Sequence, residues 1–446
     1  MIKDRKKLMT DGSISKNIIT FAIPIFLGTI FQELYNVVDS VVVGKFVNKE
    51  ALAAVTSSGS LCNMLVGLFM GTFVGAGVVI SKYYGADDIK SVRKAIHTSI
   101  AFALLSSILL TGLGYYLTPQ ILLLMNTPET VYEGAKAYVQ IYFLGIGSLV
   151  MYNCSAGILR ALGDSRHPLY FLIISSILNI IVDLILVIVF HFGVKGVAYA
   201  TIFGQTVSAI LAYRILLTTD DIYKVNIKEI SFDKKIFKEI LRIGIPSGIQ
   251  SSVTSISNVF IQSSVNSFGA AAMAGNGAFV KIQSFMFKPI TSLALSLTTY
   301  TSQNLGAGEF DRVKKGTRFG ISTMVILATL IGVFLYVFSP SILMMFSDDP
   351  EVIKVGVMRA HLIAPALGIL AITHCMSSIF RGAGRAILPM IVMLTCFCFF
   401  RVTFITIALK FNHDIRLVFA AYPISWTMSS LIFVIYYFKV NWMNEK

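Results

Sequence analysis

The sequence predicts an all-α polytopic membrane protein with twelve transmembrane helices in two six-helix lobes, related by an internal parallel repeat. Composition is the first observation behind this prediction, because 55% of the 446 residues are hydrophobic, 13% are charged and the mean hydropathy is +0.76. A soluble domain of this length does not carry so much apolar surface. The other two observations are the recurrence of bilayer-length apolar stretches and a register of motifs shared by both halves of the chain.

Twelve apolar stretches are long enough to cross the hydrocarbon core of a bilayer, which needs about 20 residues as a helix. They run at roughly 18–43, 52–81, 95–118, 138–159, 168–191, 194–217, 241–266, 276–302, 319–339, 357–380, 386–409 and 416–438.

Basic residues predict the orientation of these spans, since Lys and Arg are retained in cytoplasmic loops. Most of the 37 Lys and Arg residues fall on the side of the N-terminus, including the central run 214–242, and few fall opposite, Arg359 among them. We therefore expect a multi-pass protein of the cytoplasmic (inner) membrane with both termini in the cytoplasm. The net charge of +14 is then explained by topology and requires no nucleic acid.

An internal repeat appears when the chain is compared with itself at an offset near 221. The matched residues are Pro24 and Asn36 with Pro246 and Asn258, and Arg160, Gly163 and Pro168 with Arg381, Gly384 and Pro389. The predicted organisation is an N-terminal lobe at 1–217, a cytoplasmic linker at 218–240 and a C-terminal lobe at 241–446. Parallel repeats of this kind are a common plan of secondary transporters.

Three of the 23 acidic residues fall inside predicted spans: Glu33, Asp39 and Asp183. An ionisable group in a membrane span is a functional candidate by default. Asn179 and Ser176 precede Asp183 by four and seven residues, so they share its helix face. Their oxygens suit a desolvated Na⁺, and they equally suit a carboxyl group that takes up a proton.

Depth supports a grouping of residues from different spans. At 1.5 Å per residue, Asp39, Thr201 and Asp183 lie roughly 6, 10 and 12 Å from the outer ends of their spans. They can therefore meet in the outer half of one bundle. The other reading is that each acid is neutralised by a structural hydrogen bond.

Span seven of the second half carries a line of polar residues at every fourth position. These are Gln250, Thr254, Asn258 and Gln262. They either join helices by hydrogen bonds or line a cavity. Lys281, Lys288 and Arg401 also fall in spans, where they snorkel or face water, and their role is open, as is that of Glu33.

The whole chain resembles the multidrug and toxic compound extrusion (MATE) family. The resemblance rests on Pro24, the YNVVDS run around Asp39, EALAAV from Glu50, the Ser81 to Ala86 segment, the RALGDSRHP loop from Arg160, Asn179 with Asp183, and the second-half copies. It implies a pair of six-helix lobes that exports amphipathic, often cationic organic molecules in exchange for H⁺ or Na⁺. It also implies a cation site at Asp39, Asn179, Asp183 and Thr201, which binds metal only if the coupling ion is Na⁺.

The chain departs from many relatives in its second half. Gln250 stands where they carry a glutamate, and span ten has no acid, so coupling is expected in the N-terminal lobe alone. The candidate residues for a substrate cavity are Glu33, Tyr35, Asn36, Gln250, Thr254 and Asn258.

Two other functions share features with this sequence. A flippase for a lipid-linked substrate is the alternative, although such proteins usually have more spans and a more basic cavity. An intramembrane aspartyl protease also uses two aspartates, but the sequence has no GxGD inside a span and no other catalytic or nucleotide-binding motif. We therefore expect no enzyme activity and no cofactor, and a monomer that contacts lipid and small organic substrates.

Overall fold

The computed structural model describes residues 9–47, 49–124 and 127–443, except for the side chains of 49–65, 68 and 124. Within these residues the chain folds into twelve helical segments, as the sequence predicts. The first six are α1 (Ile14–Phe46), α2 (Lys49–Gly85), α3 (Ile89–Leu124), α4 (Glu129–Leu144 with Ile146–Ala161), α5 (Arg166–Leu184 with Ile185–Val189) and α6 (Gly193–Thr218). The second six are α7 (Lys234–Asn266), α8 (Ala270–Gly306), α9 (Phe310–Met344), α10 (Pro350–Ile363, Ala364–Ala366 and Leu367–Gly382), α11 (Ile387–Met393, Leu394–Phe400 and Arg401–Phe411) and α12 (Ile415–Lys439).

Eight of these segments are by themselves long and apolar enough to cross a membrane, and the bent α4 is a ninth, as judged on the described residues. The other three, α2, α7 and α8, are long helices of 33 to 37 residues. In α7 the reason for the lower hydropathy is visible in its polar line from Gln250 to Gln262. Polar residues of this kind are tolerated in a span when other helices cover them.

Four of the described spans deviate from regular α-helix, and in α10 the deviation is a 3-10 turn at Ala364–Ala366. α4 bends by 47° at Gly145, where a Cβ would stand 2.3 Å from the side chain of Ile202 on α6. α5 widens into a π-helical turn at Ile185–Val189, which begins two residues after Asp183. α11 does the same at Leu394–Phe400, directly before Arg401. Such π turns are frequent at functional positions.

The helices form two compact units, which do not follow the order of the chain strictly. One contains Ile23–Gly248, and the other contains Met9–Ala22 with Ile249–Lys446. α1 and α7 thus each contribute to both units, and each passes from one to the other close to a proline, Pro24 or Pro246. These prolines are equivalent in the predicted repeat. The lobe boundaries 1–217 and 241–446, which do follow the chain, stay a prediction.

In the first unit, glycine allows α7 to approach α2 at backbone distance. A Cβ on Gly71 would stand 2.2 Å from the backbone nitrogen of Gly248, and one on Gly75 would stand 2.6 Å from that of Gly244. The linker before α7 is held by α3: the Asp233 amide donates to Thr98 Oγ1 at 3.1 Å, and Lys94 Nζ lies 2.8 Å from Asp233 Oδ2.

In the second unit, the N-terminal segment is held through its backbone. Met9 N donates to Gln303 Oε1 at 2.9 Å, and Arg312 donates to the carbonyl oxygens of Met9 and Gly12 at 3.2 and 3.0 Å. Ser296 Oγ donates to the carbonyl of Ile18 at 2.8 Å. The basic residues at 1–8 used for the orientation, and the side chains of the EALAAV run, lie outside the described residues.

Candidate functional site

Three helices of the first unit bring the predicted cation-coupling residues together. α1 carries Asp39, α5 carries Asn179 and Asp183, and α6 carries Thr201. All four side chains are buried, with exposed fractions of 5, 3, 0 and 7% respectively. Because Asn179 precedes Asp183 by one helical turn, both face the same neighbours.

Asp39 is the centre of this group. Its carboxyl group lies within hydrogen-bonding reach of the Thr201 hydroxyl and close enough to Asp183 for their charges to interact directly. Thr201 Oγ1 donates its own proton to the carbonyl of Val197 at 2.9 Å. The lone pairs of Thr201 are therefore left for a cation or for a proton carried by Asp39.

Several buried polar atoms of the group have no hydrogen-bond partner among the described residues. They are Asp39 Oδ1, both carboxyl oxygens of Asp183, Oδ1 and Nδ2 of Asn179, and Ser176 Oγ. An unsatisfied buried polar atom costs about 1–3 kcal/mol, and more when it is charged. The number of unsatisfied polar atoms in this site indicates that it binds protons or a cation.

A small cavity of about 20 Å³, lined by both polar and apolar side chains, adjoins Asn179 and Thr201. This is enough for roughly one water molecule. Tyr35, Asn179 and Thr201 line it, and the Tyr35 hydroxyl lies within hydrogen-bonding reach of Gln32 and Gln205.

Sequence reasoning missed Gln32, Ser175, Gln205 and Ser208 as lining residues. A signal for two of them was present, since Ser175 precedes Asn179 by four residues and Gln205 follows Thr201 by four. Each therefore lies one turn away on the same helix face. Neither residue type is rare enough in a span to stand out alone.

A buried cluster of valines lies one helical turn beyond the polar residues. Val42, Val43, Val187 and Val197 form one buried cluster. Val43 follows Asp39, and Val187 follows Asp183, by four residues, and Val197 precedes Thr201 by four. Each of the three helices thus places an apolar side chain one turn beyond its polar one, and we call this cluster the valine seal.

The donor set fits either coupling ion. Carboxylate, amide and hydroxyl oxygens are the ligands that hard cations prefer. Two neighbouring carboxyl groups in a low-dielectric site cannot both remain ionised, so a proton can replace the metal.

The residues predicted to line a substrate cavity lie in different environments. In the first unit, Tyr35 lines the small cavity, Glu33 is half-buried near it, and Asn36 is exposed. In the second unit, Gln250 Nε2 donates to Ser377 Oγ at 3.3 Å, as expected of a residue that joins two helices.

The other two cavity candidates of the second unit, Thr254 and Asn258, differ from each other. Thr254 is half-buried and donates to the carbonyl of Gln250 at 2.9 Å. Asn258 is exposed. The substrate role of all these residues stays a prediction.

Two arginines are placed differently from the sequence reading. Arg401 neither snorkels nor faces water, because it is 2% exposed, and Arg359, assigned to an outer loop, is also 2% exposed within α10. The error arose because their neighbours come from helices distant in sequence. Lys281 is exposed and Lys288 is half-buried.

A sequence profile described as MatE matches the chain twice, at residues 24–185 and 246–407. The second match starts and ends 222 residues after the first, so the predicted internal repeat is confirmed. Together the matches cover most of the chain.

Relatives and a solved structure agree with this match. The chain is 28% identical over 437 residues to the probable multidrug resistance protein YoeA of Bacillus subtilis, covering 95% of this chain and 94% of that protein. It is 28% identical over 401 residues to the probable multidrug resistance protein YpnP of the same organism, covering 89 and 88%. A MOP superfamily transporter from Pyrococcus furiosus superposes with a TM-score of 0.92, at 22% identity and 98% coverage of both chains, which supports the fold.

Proposed function

The chain belongs to the MATE family of membrane transporters, and we propose that it is a secondary antiporter that exchanges an exported molecule for H⁺ or Na⁺ taken up at Asp39 and Asp183. Members of this family are transporters of small organic compounds and need no cofactor. The aspartyl protease alternative is therefore wrong.

One observation carries the coupling proposal. Two carboxyl groups from separate helices, Asp39 and Asp183, are both buried, lie close enough for their charges to interact, and have most of their oxygens unpartnered among the described residues. A structural role would leave these oxygens hydrogen-bonded, since native proteins satisfy almost all buried polar atoms. Binding and release of a positive charge gives the pair two states of very different energy.

The arrangement suggests how the ion acts on the helices. A cation or proton shared by Asp39, Asp183 and Thr201 removes the repulsion between α1 and α5 and draws α6 to them. Its loss restores the repulsion. The valine seal blocks one end of the site, so the ion enters and leaves through the small cavity beside Tyr35.

α1 is suited to pass this change on. It belongs to both units, and Pro24 inside it removes one backbone hydrogen bond near the passage between them. A change at Asp39, four turns away, can therefore alter the helix on both sides of Pro24. This gives the ion a covalent connection to the second unit.

The cargo is proposed to be amphipathic drugs or metabolites. The names of the Bacillus relatives indicate multidrug resistance for those proteins, and the sequence prediction for this chain was a cationic compound. We further propose that the protein works as a monomer in the cytoplasmic membrane with both termini inside.

Counterflow in proteoliposomes tests the proposal, with pH and sodium gradients imposed separately. We expect Asp39→Asn and Asp183→Asn to abolish export driven by the effective gradient while the protein still inserts. Asp348→Asn, at an exposed loop acid, is the matched control and should transport as wild type. Gln250→Ala is expected to be milder than either site variant.

Wild-type export in both Asp39→Asn and Asp183→Asn would disprove coupling at these residues. Inactivity of Gln250→Ala at full expression would show that coupling depends on the second unit. A gradient of only one ion should drive the wild type, which identifies the coupling ion.

A further inference from the structure

Two arginines are buried in the second unit without an acidic partner. Arg359 on α10 and Arg401 on α11 are each 2% exposed, and they are among the largest buried side chains in the described part of the chain. Among the described residues no carboxylate lies within ion-pair distance of either guanidinium. An arginine inside a span normally pairs with an acid or faces water.

The groups that hold Arg359 are neutral. Its Nη1 donates to the side-chain and backbone oxygens of Asn276, and its Nη2 donates to Gln283 Oε1 at 3.4 Å. Asn276 in turn donates to Gln262 Oε1 at 2.7 Å. Arg359 Nε is buried and has no partner among the described residues.

Arg401 is also held by a neutral group, through one face of its guanidinium. Its Nε and Nη2 donate to Ser425 Oγ at 3.2 and 2.8 Å. No hydrogen bond to a described residue involves its Nη1. Each arginine therefore has one N–H group that forms no hydrogen bond to a described residue.

The aromatic ring of Tyr422 lies close to both guanidinium groups. The guanidinium carbons of Arg359 and Arg401 lie 5.1 and 4.4 Å from the ring centre of Tyr422. Phe279 and Phe397 provide further rings, at 4.9 Å from Arg359 and 4.7 Å from Arg401. We call Arg359, Arg401 and Tyr422 the arginine cluster.

Aromatic rings and neutral hydrogen bonds do not offset two buried like charges. A cation–π contact contributes about 0.5–2 kcal/mol, whereas an unpaired buried charge costs several kcal/mol after relaxation. The two guanidiniums also repel each other across Tyr422. A bound anion removes both costs at once.

We propose that the arginine cluster binds a carboxylate or phosphate group of the exported molecule. The planar forks of two guanidiniums match oxyanions better than any other common group, and the surrounding rings suit an apolar body attached to the anion. This inference rests on the proposed export function and specifies its cargo as amphipathic and anionic, in contrast to the cationic cargo predicted from sequence.

Packing alone does not explain the cluster equally well. A methionine or leucine at 359 or 401 would fill the same space without a charge, and replacing buried charges by apolar residues is often neutral or stabilising. The unpartnered donors at Arg359 Nε and Arg401 Nη1 indicate a ligand rather than a clamp between helices.

The protein contains its own reporter for this test. Trp426 on α12 is buried, and its ring centre lies 5.8 Å from that of Tyr422. Trp442 is the other tryptophan, so the variant Trp442→Phe leaves Trp426 as the sole indole. Its fluorescence in nanodiscs can be followed while hexyl phosphate, hexanoate, hexyltrimethylammonium or inorganic phosphate is added at constant ionic strength.

We expect saturable fluorescence changes with hexyl phosphate and hexanoate, and none with hexyltrimethylammonium. Arg359→Gln and Arg401→Gln should weaken hexyl phosphate binding at least tenfold. Arg416→Gln, which removes an exposed arginine from the same helix as Trp426, is the matched control and should bind as wild type. If a Gln variant fails to insert, Arg401→Lys decides, because it keeps the charge but loses the fork and should bind more weakly than wild type.

Three results would overturn the proposal: no response of the wild type to either hexyl anion, equal binding by wild type and an inserted arginine variant, or inorganic phosphate binding as tightly as hexyl phosphate. The last would show a site for free anions. Asp39→Asn separates this proposal from the coupling proposal, because it should bind hexyl phosphate normally while it fails to export it. Normal binding without any wild-type export would disprove the antiport function and leave the anion site standing.

Discussion

Gly204 of α6 lies directly against Asn179 of α5. A Cβ at position 204 would stand 3.0 Å from the Cβ of Asn179 and 3.1 Å from the carbonyl oxygen of Ser175. Only the missing side chain allows α6 to come so close to α5. Thr201, one turn before Gly204, is thereby brought to the two carboxyl groups.

Gly204→Ala should separate α5 from α6 and weaken ion coupling. The added methyl group forces Asn179 or the backbone of α5 to move, and overpacking of this kind costs roughly 1–3 kcal/mol. We expect a lower melting temperature in detergent and a reduced initial rate of gradient-driven export. Gly112→Ala on α3 is the control, because a Cβ there meets nothing within 4 Å. If Gly112→Ala lowered the melting temperature as much as Gly204→Ala, the close approach of α6 to α5 would not be the cause.

Asp183→Asn should lose transport without losing stability. Both oxygens of Asp183 lack hydrogen-bond partners in the described chain, and a neutral amide removes the repulsion from Asp39. The melting temperature at pH 8 is therefore expected to be unchanged or higher than that of the wild type.

The contrasting variant is Asp164→Ala, since Asp164 Oδ1 accepts from the backbone amides of Arg166 and His167 at 3.0 and 3.3 Å. Loss of such a helix-capping group costs about 0.5–2 kcal/mol. Destabilisation of Asp183→Asn by as much as Asp164→Ala would show that Asp183 is a structural acid.

The features of this protein that could be predicted from sequence are those that depend on the residues of a single helix. Span lengths and the repeat follow from local hydropathy and register, and Asp39 and Asp183 stand out because acids are rare in spans. The Tyr35 cavity and the valine seal could not be predicted, since glutamine, serine and valine are ordinary residues until packing brings three helices together.

Arg359 is a residue whose position the sequence predicted wrongly. It lies in the third turn of α10, close enough to the predicted span boundary to be assigned to an outer loop by charge alone. Its surroundings, Asn276 and Tyr422, come from helices more than 60 residues away in either direction. A single sequence contains no signal that joins such distant residues, so the buried cluster became visible only in the structure.

Asp233→Asn should loosen the start of α7. Hydrogen bonds from Lys94 Nζ and the Ile236 amide lower the pKa of Asp233 below its ordinary value, so its stabilising effect is present above that value and is lost as the pH falls through the lowered pKa. Hydrogen exchange of the amides at 234–240, corrected for intrinsic rates, should be faster than in the wild type at pH 7.

Acidification provides the second readout for Asp233. The difference between wild type and Asp233→Asn should disappear once Asp233 is protonated. Asp220→Asn is the control, because Asp220 pairs with Lys224 at 3.2 Å but its side chain is 98% exposed. An equal effect of both variants would mean that the general loss of a linker charge, rather than the bonds of Asp233, governs this segment.

Val187→Ala should make the coupling site leak. Val187 is 2% exposed within the valine seal, and removal of its two methyl groups costs roughly 1–3 kcal/mol and leaves a space beside Asp183. Water entering there would connect the carboxyl groups to the side that the seal closes, so we expect a passive flux of the coupling ion in proteoliposomes without cargo. Val189→Ala, in the same π-helical turn but 65% exposed, is the control and should show no passive ion flux. If Val187→Ala also showed no flux, the valines would not form the barrier.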